Sequence, residues 1–394
     1  MTERLFREDP YLLTFDARVV DVQAADGQFI VFLDRTAFFA ECGGQPCDTG
    51  VLAGIPVRDV QEDGELIRHT LDAPLKIGSV VKGVVDSDRR RDHRQQHHGQ
   101  HLLSRALLDQ SNARTVSFHL GGDACTIDLD RTLNSSAIEE AEQLVNETIW
   151  RALPVSSREV SRSEAGALGI RIPERAGDRI RIVDAEGFDV QACSGTHPRS
   201  TAEVGVVLIL RAENYKGGTR LRFTCGHRAL GAWRQRTLAI DRLGVLFSAP
   251  TADLVDAAEK QTLQCEDAGR QIRALRQRAL RGDALELLRS APPSQGIILQ
   301  AFDDMPAEDL RTLAETLVAL EPCLALLGSR AEKAHLVFAQ SPGQPHDVPA
   351  LLKAALTVLG GRGGGRGDIA QGGGPETQKL DEALHLAKIA ASTP

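Results

Sequence analysis

This sequence has few aromatic residues and no excess of positive charge. Aromatic side chains make up 4% of the 394 residues, and the formal net charge at pH 7 is -8. So few rings argue against an extended base-stacking platform of the kind that binds single-stranded nucleic acids. Because acidic residues outnumber basic ones, any contact with a nucleic acid must depend on local basic patches.

Long apolar segments and a regular cysteine framework are also missing. No apolar run approaches the roughly 18 residues of a membrane helix, and the first ten residues are rich in charge, unlike a secretory signal. The seven cysteines are odd in number and irregular in spacing, which predicts free thiols in a reducing compartment. We therefore expect a cytoplasmic protein that does not contact a membrane.

The length and the hydrophobic pattern predict a mixed α+β protein of two or three domains. Short alternating apolar runs in 11–85 predict a small β-barrel or meander. Apolar residues at steps of four and three in 251–290 predict a helical arm, and strand-like runs after 296 predict an α/β unit. The predicted segments are a β-barrel in 1–90, an α+β domain in 91–245, the helical arm in 246–292 and a C-terminal α/β domain in 293–394.

Two pairs of metal-ligand residues share one spacing. His97 and His101 are four apart, as are Cys193 and His197, which places each pair on one face if the backbone is helical. A single such pair could be ordinary surface histidines, but a second pair containing cysteine favours a shared metal. Three imidazoles and a thiolate suit zinc better than magnesium or calcium. The spacing does not match the zinc proteases, since His98 replaces their general-base glutamate.

Two glycine-rich stretches allow two interpretations each. The string Gly43-Gly44-Gln45 is typical of a turn, but paired glycines also let a backbone approach a ligand closely. The run at 360–374 contains glycines and two arginines. Such a run is either a flexible loop or a cradle whose backbone amides hold phosphate.

These stretches together resemble one known family. Residues 92–104 and 193–197 resemble the two metal motifs of the alanyl-tRNA synthetase editing domain, and most of all its free-standing relatives, the alanyl-tRNA editing proteins AlaX. The string at 43–45 resembles the family's Gly-Gly-Gln loop, and the run at 360–374 resembles the glycine motif of its long forms. Because the resemblance begins by about residue 9, we expect no ATP-dependent ligase domain.

The resemblance implies a zinc-containing editing domain in 91–245 and a stand-alone aminoacyl-tRNA deacylase activity. The expected substrate is tRNA for alanine mischarged with serine, with glycine as a second cargo. One zinc ion per chain is expected, and its ligands would be His97, His101, Cys193 and His197. His98 is a departure, because the family has threonine between the first two ligands.

The resemblance also implies residues that handle the substrate. The backbone of Gly43 and Gly44 and the side chain of Gln45 are expected to orient the aminoacyl group. A polar group should meet the serine hydroxyl, since such recognition rejects an analogue that lacks the hydroxyl. The candidates for that group are Thr115, Ser117 and Gln45.

Basic residues at three places are candidates for tRNA contact, with ordinary solvated surface charge as the alternative. The C-terminal domain of the family is associated with tRNA contact and self-association, so a homodimer is also expected. The candidate tRNA-binding residues are Arg89, Arg90, Arg94, Lys216, Arg220, Arg362 and Arg366.

Two other functions remain open from the sequence. Threonyl-tRNA synthetase shares the metal motifs, so the substrate could be seryl-tRNA for threonine, although the Gly-Gly-Gln loop and the C-terminal glycine motif favour alanine. A zinc-stabilised module that binds tRNA without catalysis belongs to a different class. The complete set of metal residues favours the enzyme.

Overall fold

The computed structural model of the protein describes residues 1–25, 27–172, 177–290 and 296–392. Helices and strands are mixed along the chain, which confirms the predicted α+β class. The chain divides into two compact units, Met1–Arg242 and Leu243–Pro394. The finer division into four segments stays a prediction, and its boundary between 292 and 293 lies outside the described residues.

The first unit begins with a ring of antiparallel strands. The elements of this region are β1 (Glu3–Arg4), α1 (Leu5–Glu8), β2 (Thr14–Ala25), β3 (Gln28–Leu33), β4 (Arg35–Thr36), β5 (Gly50–Leu52), β6 (Ile55–Asp63), β7 (Leu66–Leu71) and β8 (Val80–Val85). Strands β2, β3, β7, β6, β5 and β8 pair in that order, and β8 pairs back with β2 to close the ring. Buried and exposed residues alternate along β8 and the first half of β2, so one face of each strand fills the ring.

The rest of the first unit places helices against two further sheets. Strands pair in the orders β14-β15-β10-β9 and β11-β12-β13. The elements are α2 (Ser87–Ser111), β9 (Thr115–Leu120), β10 (Cys125–Leu129), α3 (Ser135–Trp150), β11 (Val155–Ser161), α4 (Arg162–Ala167), β12 (Arg179–Ala185), β13 (Asp189–Ala192), β14 (Val207–Tyr215), β15 (Gly218–Cys225) and α5 (Gly226–Phe247).

Helix α2 lies at the centre of this region. The Asp86 side chain accepts hydrogen bonds from two backbone N–H groups of the first turn and so fixes where the helix begins. Leu103 and Leu107 are completely buried in the core that α2 shares with the larger sheet. A Cβ at Gly99 would lie 2.3 Å from the Cys225 Sγ, so glycine lets the helix approach the end of β15 closely.

The second unit contains a long helix and a five-stranded sheet of order β16-β17-β18-β20-β19. Along α6 the side chains of Val255, Leu263, Ile272 and Leu275 are between 62% and 68% exposed. The predicted homodimer stays a prediction. The elements are α6 (Leu254–Ser290), β16 (Ile297–Asp303), α7 (Ala307–Leu320), β17 (Leu324–Arg330), β18 (Ala334–Gln340), α8 (Val348–Val358), β19 (Arg362–Arg366), β20 (Ile369–Gly374) and α9 (Leu380–Ser392).

Within the described residues, no helix combines the length and the apolar character needed to cross a membrane.

Candidate metal centre

Four side chains converge where α2 meets the loop after β13. His97 and His101 come from α2, and Cys193 and His197 come from the loop. One donor atom from each lies within 4.8 Å of the other three. The Cys193 Sγ is 3.3 Å from the His97 Nε2 and 3.2 Å from the His197 Nε2. Ligands of a tetrahedral zinc ion are separated by about 3.5 Å, so this spacing fits such an ion.

The second nitrogen of each imidazole meets a different group. The His97 Nδ1 lies 2.7 Å from the Gln45 Oε1, and the His197 Nδ1 lies 3.1 Å from an imidazole nitrogen of His98. The His101 Nδ1 is 3.6 Å from a carboxylate oxygen of Asp189. Metal-binding histidines are normally held by such outer partners, which fix the ring orientation and the tautomer.

The tautomer of His97 follows from the contacts of Gln45. The backbone N–H of Thr196 donates to the Gln45 Oε1 over 3.0 Å, which identifies that atom as the oxygen of the amide. The His97 Nδ1 must therefore carry the proton that it donates to Gln45. In the neutral form of this imidazole, Nε2 carries the lone pair and faces the Cys193 sulfur, an arrangement that suits two ligands of one cation.

Charge in the cluster is concentrated on the thiol and on one imidazole. Burial raises the pKa of Cys193, but the imidazoles of His97, His197 and His101 outweigh it and bring the pKa well below the ordinary value. Burial alone would lower the pKa of His101, yet the Cys193 thiolate and Asp189 raise that pKa to about 10. Burial lowers the pKa of His197 to about 3. The thiolate is the form that binds metals.

The loop that carries Cys193 is held from behind by an arginine and shaped by a glycine. The Arg181 guanidinium donates hydrogen bonds of 2.9 Å to the carbonyl oxygens of Cys193 and Gly195. A Cβ at Gly195 would lie 2.1 Å from the His97 ring and 2.8 Å from the Gln45 Oε1. Only glycine therefore lets the loop pass this close to the His97 imidazole.

The Gly-Gly-Gln string is a tight turn that supports the centre. Cys42 and Gln45 exchange both backbone hydrogen bonds, and Gly43 and Gly44 have φ of +57° and +80°. The Gln45 side chain is completely buried, and its Nε2 donates to the Thr196 hydroxyl over 2.9 Å. Its amide thus holds His97 and the loop, so the geometry gives Gln45 a positioning role rather than the expected substrate contact.

An open cleft of about 1320 Å³ has three of the four clustered side chains, His97, His101 and Cys193, on its wall. Gln100, Ser104 and Thr115 also line it, and the Ser104 and Thr115 hydroxyl oxygens are 2.7 Å apart. The exposed Ser117 lines the same cleft and donates its hydroxyl to Asp128 over 2.8 Å. Arginines from separate parts of the first unit contribute the basic character of the cleft, namely Arg4, Arg7, Arg105, Arg114, Arg171, Arg179 and Arg181.

The structure removes one arginine from the predicted tRNA contacts. Arg90 is completely buried, with its Nε 3.0 Å from a carboxylate oxygen of Asp48. It also donates to the carbonyl oxygens of Ala37 and Pro10. A buried guanidinium with these partners cannot also reach a phosphate at the surface. The arginine run predicts either tRNA contact or solvated surface charge, and neither holds for Arg90, because its buried partner Asp48 is 42 residues away in the sequence.

The other candidates on α2 and in the closing hairpin differ in exposure. Arg94 is 9% exposed, and its guanidinium lies 3.8 Å from the centre of the Tyr11 ring. Arg89 is half-buried and donates to a backbone carbonyl. Arg220 is paired with Asp128, whereas Lys216 is exposed.

The two candidates in the second unit, Arg362 and Arg366, are exposed on β19. None of the cleft arginines was among the predicted contacts. They do not form a run in the sequence, so no local signal marked them.

Three family models match separate parts of the chain. The "Threonyl and Alanyl tRNA synthetase second additional domain" matches 180–222, the segment that contains Arg181, Cys193 and His197. A model for class II (A) tRNA synthetases matches 11–89, and the DHHA1 domain matches 294–393.

A full-length relative decides the family. The alanyl-tRNA editing protein AlaX-L of Pyrococcus horikoshii is 32% identical over 385 residues, which cover 94% of each chain. The chain belongs to the AlaX-L family. This confirms the resemblance that the metal motifs indicated.

This chain is also similar to part of larger enzymes. The alanine–tRNA ligase of Pyrococcus furiosus is 31% identical over 404 residues, which are 98% of this chain but 43% of the ligase. The chain thus spans less than half the length of these ligases. The C-Ala domain of Aquifex aeolicus alanyl-tRNA synthetase matches 25% of this chain and 94% of that domain at 30% identity, with a TM-score of 0.24.

Proposed function

We propose that the protein is a zinc-dependent deacylase that hydrolyses seryl-tRNA for alanine, with glycyl-tRNA for alanine as a second substrate. The observation that carries this proposal is the Cys-His₃ cluster, three of whose side chains lie on the wall of an arginine-lined cleft. A pocket built for alanine rejects glycine weakly and serine only modestly, so a second, hydrolytic site is required for accuracy. Membership of the AlaX-L family supports the same assignment.

Zinc would be held by His97, His101, Cys193 and His197. When bound, it supplies Lewis acidity, which can polarise an ester carbonyl or lower the pKa of water. If all four residues ligate at once, the ion shapes the pocket instead, as in structural zinc sites.

The side chains around the ligands supply orientation. Gln45 holds the His97 ring in the tautomer that leaves Nε2 free, and Arg181 holds the loop that presents Cys193. The Nδ1 of His98 contacts the Nδ1 of His197 and so fixes the orientation of that ring. Rigid outer partners of this kind keep ligands in the geometry that the chemistry requires.

The cleft arginines are proposed to hold the 3′ end of the tRNA. Arg105, Arg114 and Arg171 line the cleft that contains the metal-binding side chains. A terminal phosphate bound there would bring the ester to the metal centre, and such binding should weaken as salt rises. Lys216, Arg362 and Arg366 remain proposed contacts for other parts of the tRNA, because they are exposed.

The decisive experiment is a deacylation assay with four substrates and two metal states. Zinc-loaded and chelator-treated protein would be incubated with seryl-, glycyl- and alanyl-tRNA for alanine, and with seryl-tRNA for threonine. We expect zinc-dependent hydrolysis of the first two. Hydrolysis of seryl-tRNA for threonine alone would change the assigned substrate. Binding of tRNA without hydrolysis of any ester would identify a non-catalytic module.

A further inference from the structure

Two buried polar atoms of cleft-lining side chains have no partner among the described residues: the Nε of Arg7, which is a donor, and the Oε1 of Gln100, which is an acceptor. Gln100 lies on α2 directly before His101 and is 4% exposed. The Nε2 of the same amide donates to the Ser104 hydroxyl over 2.8 Å, and this hydroxyl contacts Thr115. All three side chains line the cleft. The Gln100 amide is therefore anchored on one side and free on the other.

A buried acceptor without a donor is costly, so this oxygen should be satisfied by a donor that enters the cleft. An aminoacyl ester brings two kinds of donor, the α-ammonium group that all amino acids share and a side-chain hydroxyl if the cargo is serine. Asp189 and Glu159 line the same cleft, and their carboxylates suit the ammonium group better than a neutral amide does. The neutral oxygen of Gln100 is left for the hydroxyl.

We propose that the Gln100 Oε1 accepts a hydrogen bond from the serine hydroxyl of the mischarged tRNA and so determines specificity for serine. This inference rests on the proposed deacylase function. With glycine or alanine in the cleft, the buried oxygen stays unpaired, and a site built for a hydroxyl discriminates strongly against analogues that lack it.

The other candidates for this role are already engaged. Gln45 is buried and holds His97, and Ser117 is exposed and donates to Asp128. Thr115 contacts Ser104 and therefore belongs to the chain of polar groups that anchors the Gln100 amide.

The test compares two glutamine substitutions. Gln100→Met keeps the side-chain length but removes both polar atoms. Gln143→Met is the matched control, because Gln143 is exposed on α3 and its amide donates to the carboxylate of the exposed Glu147. Single-turnover hydrolysis of seryl-tRNA and glycyl-tRNA for alanine is measured with zinc-loaded proteins of known metal content. We expect the seryl-to-glycyl rate ratio to fall about three- to tenfold in Gln100→Met, the effect of one lost hydrogen bond, and to stay constant in Gln143→Met.

An unchanged ratio in Gln100→Met overturns the proposal, because equal losses would mean that Gln100 contacts a group common to all aminoacyl esters or only shapes the cleft. If Gln100→Met fails to retain zinc, Ser104→Ala is the second test, because it removes the hydroxyl that accepts from the Gln100 Nε2 and leaves Gln100 in place. The seryl-to-glycyl rate ratio should then fall by a smaller factor than in Gln100→Met, and a constant ratio overturns the proposal. A wild-type protein that does not hydrolyse seryl-tRNA for alanine overturns the proposed function instead.

Discussion

The metal centre in the first unit and the glycine strand β19 in the second unit differ in how their polar groups are satisfied. At the centre, His97, His197 and His101 each have an outer partner, and Gln45 is completely buried. Every residue of β19 is exposed, and its two arginines face solvent. Buried groups that hydrogen-bond to one another are held in one geometry, which a catalytic site requires. Exposed cations on long side chains can instead adapt to the phosphate backbone of a nucleic acid.

The largest effect that would test this contrast is the loss of a metal ligand. We expect Cys193→Ala to lose bound zinc and to reduce seryl-tRNA deacylation by more than the roughly 10- to 100-fold that an outer partner contributes. Cys265→Ala is the matched control, because this cysteine is exposed on α6. Elemental analysis and single-turnover rates give the answer. Full activity in a metal-free Cys193→Ala protein would show that the cluster is not the active centre.

Removal of the buried arginine should have the next largest effect, on stability rather than on chemistry. Arg90→Met leaves the Asp48 carboxylate buried without its cation, which should cost about 3–5 kcal/mol of unfolding free energy. Arg91→Met removes an exposed ion pair with Asp88 from the same helix and should change little. Denaturant unfolding of both variants measures the difference. Equal stabilities of the two variants would mean that the buried Arg90–Asp48 pair does not stabilise the fold.

A pair of glycine substitutions compares the two regions directly. Gly195→Ala would place a methyl group against the His97 ring, so we expect zinc affinity to fall roughly 10- to 100-fold. Gly364→Ala on β19 meets no atom within 4 Å and should leave zinc affinity unchanged. Competition with a chromogenic chelator measures both affinities. If Gly195→Ala bound zinc as tightly as Gly364→Ala, the close packing around His97 would be unimportant for the metal.

The last prediction is a dependence of zinc affinity on pH. In the metal-free protein the pKa of His101 is about 10, above the ordinary 6.5, so a metal must displace its proton throughout that window. Zinc affinity should therefore rise about tenfold per pH unit between pH 6.5 and 8.5. Protonated His101 also stabilises the metal-free fold, and this stabilisation falls as pH rises. It is complete below pH 6.5 and is lost as pH rises through about 10. Chelator competition and thermal melts at three pH values test both trends, and a flat affinity profile would contradict them.

Local sequence patterns predicted the four candidate metal ligands. They could not predict the side chains that hold these ligands from distant parts of the sequence. His97 with His101 and Cys193 with His197 share a spacing that encodes proximity within one turn or loop, so the sequence alone indicated the cluster. The role of Gln45 depends on a contact across 52 residues with His97, which no periodicity reveals. The structure shows Gly43-Gly44-Gln45 as a turn, and this turn brings the glutamine side chain to the centre.

Other features depended wholly on tertiary structure. The burial of Arg90 follows from Asp48, which lies outside the charged run. The cleft arginines come from separate elements and are brought together only by the fold. Gln100 lay inside the recognised motif, but its unpartnered oxygen becomes visible only once its neighbours are placed.

The separation of 96 residues between His97 and Cys193 also sets an order of events during synthesis. At about 5–20 residues per second, a ribosome needs roughly 5–20 s to proceed from the first histidine to the cysteine. The strands that form the ring, and Gln45 with them, precede α2 and are made earlier. A nascent chain would therefore present two histidines and their glutamine partner well before it can enclose a metal. Capture of the proposed zinc ion would then be a late step of biogenesis, and a message truncated before the Cys193 codon would yield a chain unable to complete it.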